Sequence, residues 1–198
     1  MAKKIYCLAL IIFFALTFAL PSCSPPVTVD QSINPHDVAM KAISELGYTE
    51  KDLSEISGTD DEGLKIVEYY SEGSGDYILD DIRFNIMVGF SGDSIKLDMI
   101  EQYSIMLFNK DLPVPFELMI FKLPQTDGKN DSELINKLKK QCTDHIAQYK
   151  TSMQDYLPKF VPYLENAVIT VTDNFVYYCV AENSSKVTAV ITNYLSGK

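Results

Sequence analysis

The sequence predicts an α+β fold, in which helices pack on an antiparallel or mixed β-sheet. Its C-terminal half carries two β-rich apolar runs, a long amphipathic helical pattern, a compact hairpin signal and a final helical pattern, in that order. The order ββαββα is typical of a sheet with a layer of helices against it. We therefore expect the helices to pack on one face of the sheet, with a further helix on the N-terminal side.

An amphipathic N-terminal helix is predicted at residues 36–46. Asn34 and Pro35 precede it as start signals, and Gly47 follows it as a stop signal. Its apolar residues recur every three or four positions: Val38, Ala39, Ala42, Ile43 and Leu46.

The middle of the chain gives weaker patterns. Residues 49–63 are acidic and broken by glycines, residues 64–70 fit either a short helix or a strand, and residues 71–76 are typical of a loop. Apolar residues alternate with others at 82–90, which predicts a half-buried strand, and residues 95–102 predict a short helix.

The apolar runs at residues 103–108 and 116–122 predict neighbouring antiparallel strands. Pro113 and Pro115 lie in the loop between them, where they prevent continued pairing.

A long helix is predicted next. Asn130 and Glu133 have the spacing of a capping box at its start, and Pro158 marks its end. An apolar stripe runs along it: Leu134, Leu138, Cys142, Ile146, Tyr149, Met153 and Tyr156.

A β-hairpin is predicted from residues 167–171 and 175–181, which flank Thr172-Asp173-Asn174. Its second strand is apolar on both faces, so we expect it in the sheet interior. Asn183 and Ser184 can cap a final helix with one apolar face: Val187, Val190, Ile191, Tyr194 and Leu195.

The start of the chain resembles a secretory signal that ends in a lipidation site. Lys3 and Lys4 precede an almost wholly apolar run at residues 5–20. Leu20-Pro21-Ser22-Cys23 is similar to the lipobox of bacterial lipoproteins, in which the chain is cut before a cysteine that takes a diacylglyceryl group. An uncleaved anchor is disfavoured because the run is shorter than the roughly 20 residues that span a bilayer. Ordinary secretion with a free Cys23 is the alternative.

The chain is thus expected to divide into a signal peptide at 1–22, a proline-containing lipidated tether at 23–35 and one α+β domain at 36–198. Two acyl chains, such as palmitate, already give stable anchoring. We expect the protein on the extracytoplasmic face of the cell membrane, bound to membrane lipid through acylated Cys23.

The predicted mature chain is strongly acidic. Loss of Lys3 and Lys4 leaves 15 basic residues against 27 acidic ones, a net charge of −12. Nucleic acid and anionic lipid headgroups repel such a surface, so we expect no nucleic-acid partner.

Cys142 and Cys179 are the cysteines that remain within the domain. An export signal permits a disulfide between them. Two separate, small buried side chains are the favoured alternative.

Three segments carry a family resemblance. Tyr156-Leu157-Pro158, the run at residues 164–171 and Asn174-Phe175-Val176 are similar to those of the Gram-positive, mostly clostridial, lipoproteins known as domain of unknown function 4358. The resemblance covers residues 103–195. It implies a lipobox, a long helix, two following strands and a closing helix, and it carries over no catalytic residue.

Residues that could carry catalysis or bind a metal are sparse. Gly92-Asp93-Ser94 resembles the nucleophile block of Gly-Asp-Ser hydrolases, but the chain lacks the late Asp-x-x-His that those enzymes keep. Of the two histidines, His36 and His145, the latter is expected to be a boundary side chain of the long helix rather than a ligand. The acidic stretches lack EF-hand order. We therefore predict no catalytic residue, metal or cofactor.

Tyr177 and Tyr178 are adjacent on a predicted strand, so at least one is expected to face away from the core. They form a candidate binding surface, although core packing is favoured.

The sequence predicts a non-catalytic binding or scaffold module at the cell envelope, whose partner, an envelope protein or a small ligand, stays open. The alternatives are an envelope hydrolase that uses carboxylates such as Asp93 or Glu165, and a solute-binding lipoprotein.

Overall fold

A computed structural model describes residues 28–49, 53–54, 66–71, 84, 95–108 and 116–198. The helices are α1 (Pro35–Ser44), α2 (Ser132–Tyr156), α3 (Val161–Glu165) and α4 (Ser184–Leu195), with 3₁₀ turns at Leu97–Met99 and Pro158–Phe160. The strands are β1 (Leu53–Ser54), β2 (Ile66–Tyr70), β3 (Gln102–Phe108), β4 (Glu117–Lys122), β5 (Gln125–Thr126), β6 (Lys129–Asn130), β7 (Val168–Thr172) and β8 (Phe175–Val180). The predicted α+β class and its ββαββα order are confirmed.

Six strands form the main sheet, in the order β1-β2-β3-β4-β8-β7. All neighbours from β2 to β7 pair antiparallel, whereas β1 pairs parallel with β2. Every residue of β4 and β8 is buried. The antiparallel pairing of β3 with β4 and the interior position of β8 are therefore both as predicted.

The helices cover both faces of the sheet, so the expectation that they share one face is wrong. Leu118 and Ile120 of β4 pack in the core beneath α1 and α4, while Met119 and Phe121 pack in the core beneath α2. Successive residues of a strand point to opposite faces, and in β4 and β8 both sets are apolar. Each apolar set must be shielded from water by a layer of helices. The fold therefore has three layers: α1 with α4, the sheet, and α2 with α3.

Helix α1 confirms the predicted N-terminal helix. The Asn34 side chain accepts a hydrogen bond of 2.7 Å from the His36 backbone N–H, and Pro35 occupies the first turn. The chain leaves the helix through Gly47, which adopts a positive φ of 83°.

Helix α2 begins one residue later than the capping pattern predicted. Asp131 is its cap, and its Oδ1 accepts hydrogen bonds of 3.0 Å from the backbone N–H groups of Glu133 and Leu134. The predicted stripe is buried at Leu138 and Cys142, but at its far end Tyr156 is 80% exposed. The reason is length: 25 helical residues span about 37 Å, whereas a six-residue strand spans about 20 Å.

The β7–β8 hairpin turns through Asp173 and Asn174, as predicted, with Asp173 at a φ of 55°. Helix α4 is also confirmed, and the Asn183 side chain caps it by accepting from the Lys186 N–H. Its buried stripe differs from the predicted one at Tyr194 and Thr188. Tyr194, which was predicted to face the core, is exposed, and Thr188, which was not predicted to do so, is buried.

The middle of the chain is described only in part. Residues 66–70 form a strand, and the short helix expected at 95–102 is a single 3₁₀ turn with Met99 exposed. Of the strand expected at 82–90, only Phe84 is described; its backbone is helical, and its ring packs edge-on against Phe121. The predicted signal at 1–22 and Cys23 lie outside the described residues.

The described part of the predicted tether, residues 28–35, packs on the domain and is not a free linker. Val29 is 2% exposed and belongs to the core beneath α1 and α4. Its backbone N–H donates to Asp173 Oδ2 at 3.1 Å. The prolines predict a semi-rigid tether. The segment binds to the domain instead, because Val29 packs in the core and the Gln31 side chain forms hydrogen bonds with Asp173 and Asn174.

Candidate functional site: two buried carboxylate-histidine pairs

Each face of the sheet holds a buried glutamate that contacts a histidine on the covering helix. Glu68 of β2 meets His36 of α1, and Glu117 of β4 meets His145 of α2. These are the two histidines of the chain. Because a buried carboxylate is strongly destabilising unless it is paired, these pairs are the candidate functional groups that the fold brings together.

Glu117 lies at the start of β4, on the face covered by α2, and is 5% exposed. Its Oε1 lies 2.9 Å from His145 Nε2 and accepts a hydrogen bond of 2.7 Å from the Tyr178 hydroxyl. The His145 ring also lies 6.1–6.2 Å from the rings of Tyr149 and Tyr178. One carboxylate oxygen thus joins the sheet to α2.

The second oxygen of this carboxylate, Oε2, is buried and makes no hydrogen bond within the described part of the chain. Burial raises the pKa of the Tyr178 hydroxyl well above its usual value, and the negative charge of Glu117 raises it further. The same two causes, in the same order, raise the pKa of Tyr149. The site therefore keeps its phenols protonated, and Oε2 is an acceptor without a donor among the described residues.

Glu68 forms the second pair, on the opposite face. Its Oε1 lies 2.9 Å from His36 Nδ1, and its Oε2 lies 3.0 Å from the same nitrogen. The Ser104 hydroxyl donates to Oε1 at 2.7 Å, and the His36 ring stacks on Tyr70 with 4.4 Å between centroids. Both oxygens of Glu68 are therefore close to a donor.

The second pair contains a serine, a histidine and a carboxylate, but not in the order of a catalytic triad. In a triad the histidine lies between the serine and the carboxylate and takes the serine proton. Here Glu68 lies between Ser104 and His36, and Ser104 is fully buried. This arrangement orients the carboxylate and holds α1 on the sheet; it does not activate the hydroxyl.

The two cysteines lie in different cores and are free, so they form no disulfide with each other. Cys142 lies on α2 and packs in the core between that helix and the sheet, whereas Cys179 lies on β8 and packs in the core beneath α1 and α4. The favoured alternative, two small buried side chains, is confirmed. Burial raises the pKa of both thiols, and the charge of Glu117 adds to the effect.

We expect Cys142 and Cys179 to resist thiol reagents in the folded protein. The thiolate is the reactive form, and both burial and the raised pKa suppress it. A soluble chain that begins at Ser24 should react slowly with a disulfide reagent at mildly alkaline pH, and both thiols should react at once in denaturant. A Tyr156→Cys variant supplies the control, because its thiol should react at once in the folded state. Rapid reaction of a native thiol would contradict the buried positions.

Tyr177 and Tyr178 are fully buried, so the candidate binding surface predicted for them is wrong, as is the expectation that one faces away from the core. They do point to opposite faces, but helices cover both. The Tyr177 hydroxyl lies 2.9 Å from Thr172 Oγ1 and 2.6 Å from Thr192 Oγ1. It therefore joins β7 to α4, and the Tyr178 hydroxyl joins β8 to Glu117 of β4.

The other singled-out carboxylates do not join this site. Glu165 lies on the surface, where its Oε1 is 2.6 Å from Lys150 Nζ, and Asp93 lies outside the described residues. His145 is a boundary side chain, as predicted, but its partner Glu117 was missed. The sequence signal for a buried carboxylate is a glutamate directly before an apolar strand, as Glu117 stands before the run at 118–121. Glu68, which stands before Tyr69-Tyr70, gives a weaker signal of the same kind.

No protein-family model, curated protein or solved structure matches this chain. The resemblance to the clostridial lipoprotein family therefore stays a prediction. Among the described residues there is no helix long and apolar enough to cross a membrane, and no cluster of three or more His, Cys, Asp or Glu side chains that could hold a metal ion.

Proposed function

We propose that the protein is a lipid-anchored, extracytoplasmic binding or scaffold module of the cell envelope that catalyses no reaction. The anchor rests on the sequence: an apolar run and then Leu20-Pro21-Ser22-Cys23. The proposal includes membership of the clostridial lipoprotein family, on the segments that resemble it.

The observation that carries the non-catalytic part is how the buried polar groups are used. His36 and His145 each contact a buried glutamate of the sheet, and the Ser104 hydroxyl donates to one of those glutamates. A general base needs a path to substrate, but Ser104, Glu68 and Glu117 are buried between layers. These groups support a role in holding the helices on the sheet.

The surroundings of Glu165 do not support the hydrolase alternative, and Glu165 is the one of its two named carboxylates that the structure describes. Glu165 lies on the surface, where its carboxylate makes an exposed ion pair with Lys150. The binding-module proposal is therefore the one that the described geometry supports best.

The anchor is tested by replacing Cys23 with alanine in the producing bacterium. We expect the parent protein in the membrane fraction, extracted by detergent, and the Cys23→Ala variant in its uncleaved form or in the medium, without acyl mass on the chain. The matched control is Cys7→Ala, which changes a cysteine inside the apolar run and should stay lipidated. A Cys23→Ala variant that is acylated and fractionates like the parent would overturn the proposal.

A further inference from the structure

The N-terminal segment that leads out of the domain is fixed to one end of the sheet. The Val29 backbone N–H donates to Asp173 Oδ2, and the Gln31 side-chain amide donates to the same oxygen at 3.3 Å. Gln31 and Asn174 also exchange hydrogen bonds of 3.1 and 3.2 Å through their side-chain amides. The segment at residues 28–34 is therefore attached to the β7–β8 turn.

A buried lysine adds a second attachment from β4. Lys122 is 3% exposed, and its Nζ donates to the Gln31 backbone carbonyl at 2.7 Å while pairing with Glu101 Oε1 at 2.8 Å. We call Val29, Gln31, Lys122, Asp173 and Asn174 the arm clip. Its contacts join residues more than 90 positions apart, so they belong to the tertiary fold and not to a local turn.

The arm clip limits how far the domain can move from the proposed anchor. Five residue steps separate Cys23 from Thr28, and an extended chain spans at most about 3.6 Å per residue, or about 18 Å in all. A free tether to residue 35 would reach more than twice as far. The clip thus converts a linker of about twelve residues into a short connection.

We propose, on the basis of the proposed lipid anchor, that the end of the domain carrying the arm clip lies next to the bilayer and that the C-terminal end of α2 points away from it. Asn130 Nδ2 donates to Asp173 Oδ1 at 2.7 Å, and α2 begins two residues later. Its 25 residues then carry the chain about 37 Å from the clip, to exposed Tyr156.

The charge of the protein favours this upright orientation over one in which the domain lies on the membrane. The predicted mature chain has a net charge of −12, and anionic headgroups repel it. Repulsion therefore favours an orientation in which little of the domain's surface faces the lipid.

Energy transfer from a dye on the protein to acceptor lipids tests the orientation. The lipidated full-length product is reconstituted into vesicles of phosphatidylcholine and phosphatidylglycerol, with the dye on Thr126→Cys or on Tyr156→Cys. Thr126 is exposed and belongs to the β5–β6 pair, which Gln125 and Asn130 connect to Asp173. The native thiols are buried, so they should escape labelling.

We expect transfer from position 126 to be several-fold more efficient than transfer from position 156. A spacer control inserts about ten Gly and Ser residues between Ser24 and Pro25, which leaves the clip intact but lengthens the connection. In that variant transfer from position 126 should fall towards that from position 156.

Three results would overturn the inference, and they can be told apart. Equal transfer from both positions on membrane-bound parent protein would show a domain that lies flat or tumbles, while the anchor stands. Protein that carries no acyl group and fails to bind vesicles would remove the anchor, and with it the orientation that rests on it. Higher transfer from position 156 would reverse the proposed direction of α2.

Discussion

Replacement of Tyr177 or Tyr178 by alanine is expected to lower the free energy of unfolding by about 3–5 kcal/mol in each case. Both side chains are fully buried, in different cores, so each substitution removes a large apolar ring from a close-packed layer. Each also leaves hydrogen-bond partners behind: two threonine hydroxyls for Tyr177, and Glu117 for Tyr178.

The measurement is urea unfolding of a soluble chain that begins at Ser24, followed by circular dichroism. Tyr156→Ala is the matched control, since that tyrosine is 80% exposed and its loss should change stability by about 0.5 kcal/mol or less. Tyr177→Phe and Tyr178→Phe keep the rings and should each cost about 1 kcal/mol. If the alanine variants were as stable as Tyr156→Ala, the two tyrosines would belong to the surface after all.

Local elements could be predicted because their signals lie within a few residues of the structure they specify. Asn34 and Gly47 bound α1, and Asp173-Asn174 form the two-residue turn of the hairpin. In each case a side chain or a backbone preference acts on its own neighbourhood, so the sequence pattern and the geometry coincide.

The placement of the helices could not be predicted in the same way. A helix pattern reports that one stripe is apolar, but it does not say which face of the sheet the stripe covers. The information was present in β4 and β8, whose residues are apolar on both faces and therefore need two covering layers. The same pattern accounts for the interior position of β8 and for helices on both faces of the sheet.

The carboxylate pairs and the arm clip depend on contacts between distant parts of the chain. His145 meets Glu117 across 28 positions, His36 meets Glu68 across 32, and Val29 meets Asp173 across 144. One sequence shows that such residues exist but not that they meet. The prolines before residue 36 predict a free tether, because one sequence does not show that Gln31 meets Asp173 and Asn174.

The second large effect is expected at Glu117. Glu117→Leu should lower the free energy of unfolding by about 3–5 kcal/mol, because it removes the acceptor that holds both His145 and the Tyr178 hydroxyl in a buried site. Glu165→Ala is the control: its pair with Lys150 is exposed and should contribute about 1 kcal/mol or less. Urea unfolding of the same soluble chain measures both.

A double-mutant cycle separates the loss of the pair from the loss of either side chain. If Glu117 and His145 act together, the double variant Glu117→Leu/His145→Leu should be more stable than the sum of the single losses predicts, by about 0.5–3 kcal/mol. The reason is that Glu117→Leu leaves His145 without its partner and His145→Leu leaves Glu117 without its partner, whereas the double variant removes both groups. The loss of the Tyr178 hydroxyl's acceptor is common to Glu117→Leu and the double variant, so it cancels in the cycle. Losses that add within about 0.5 kcal/mol would mean that the 2.9 Å contact does not hold α2 on the sheet.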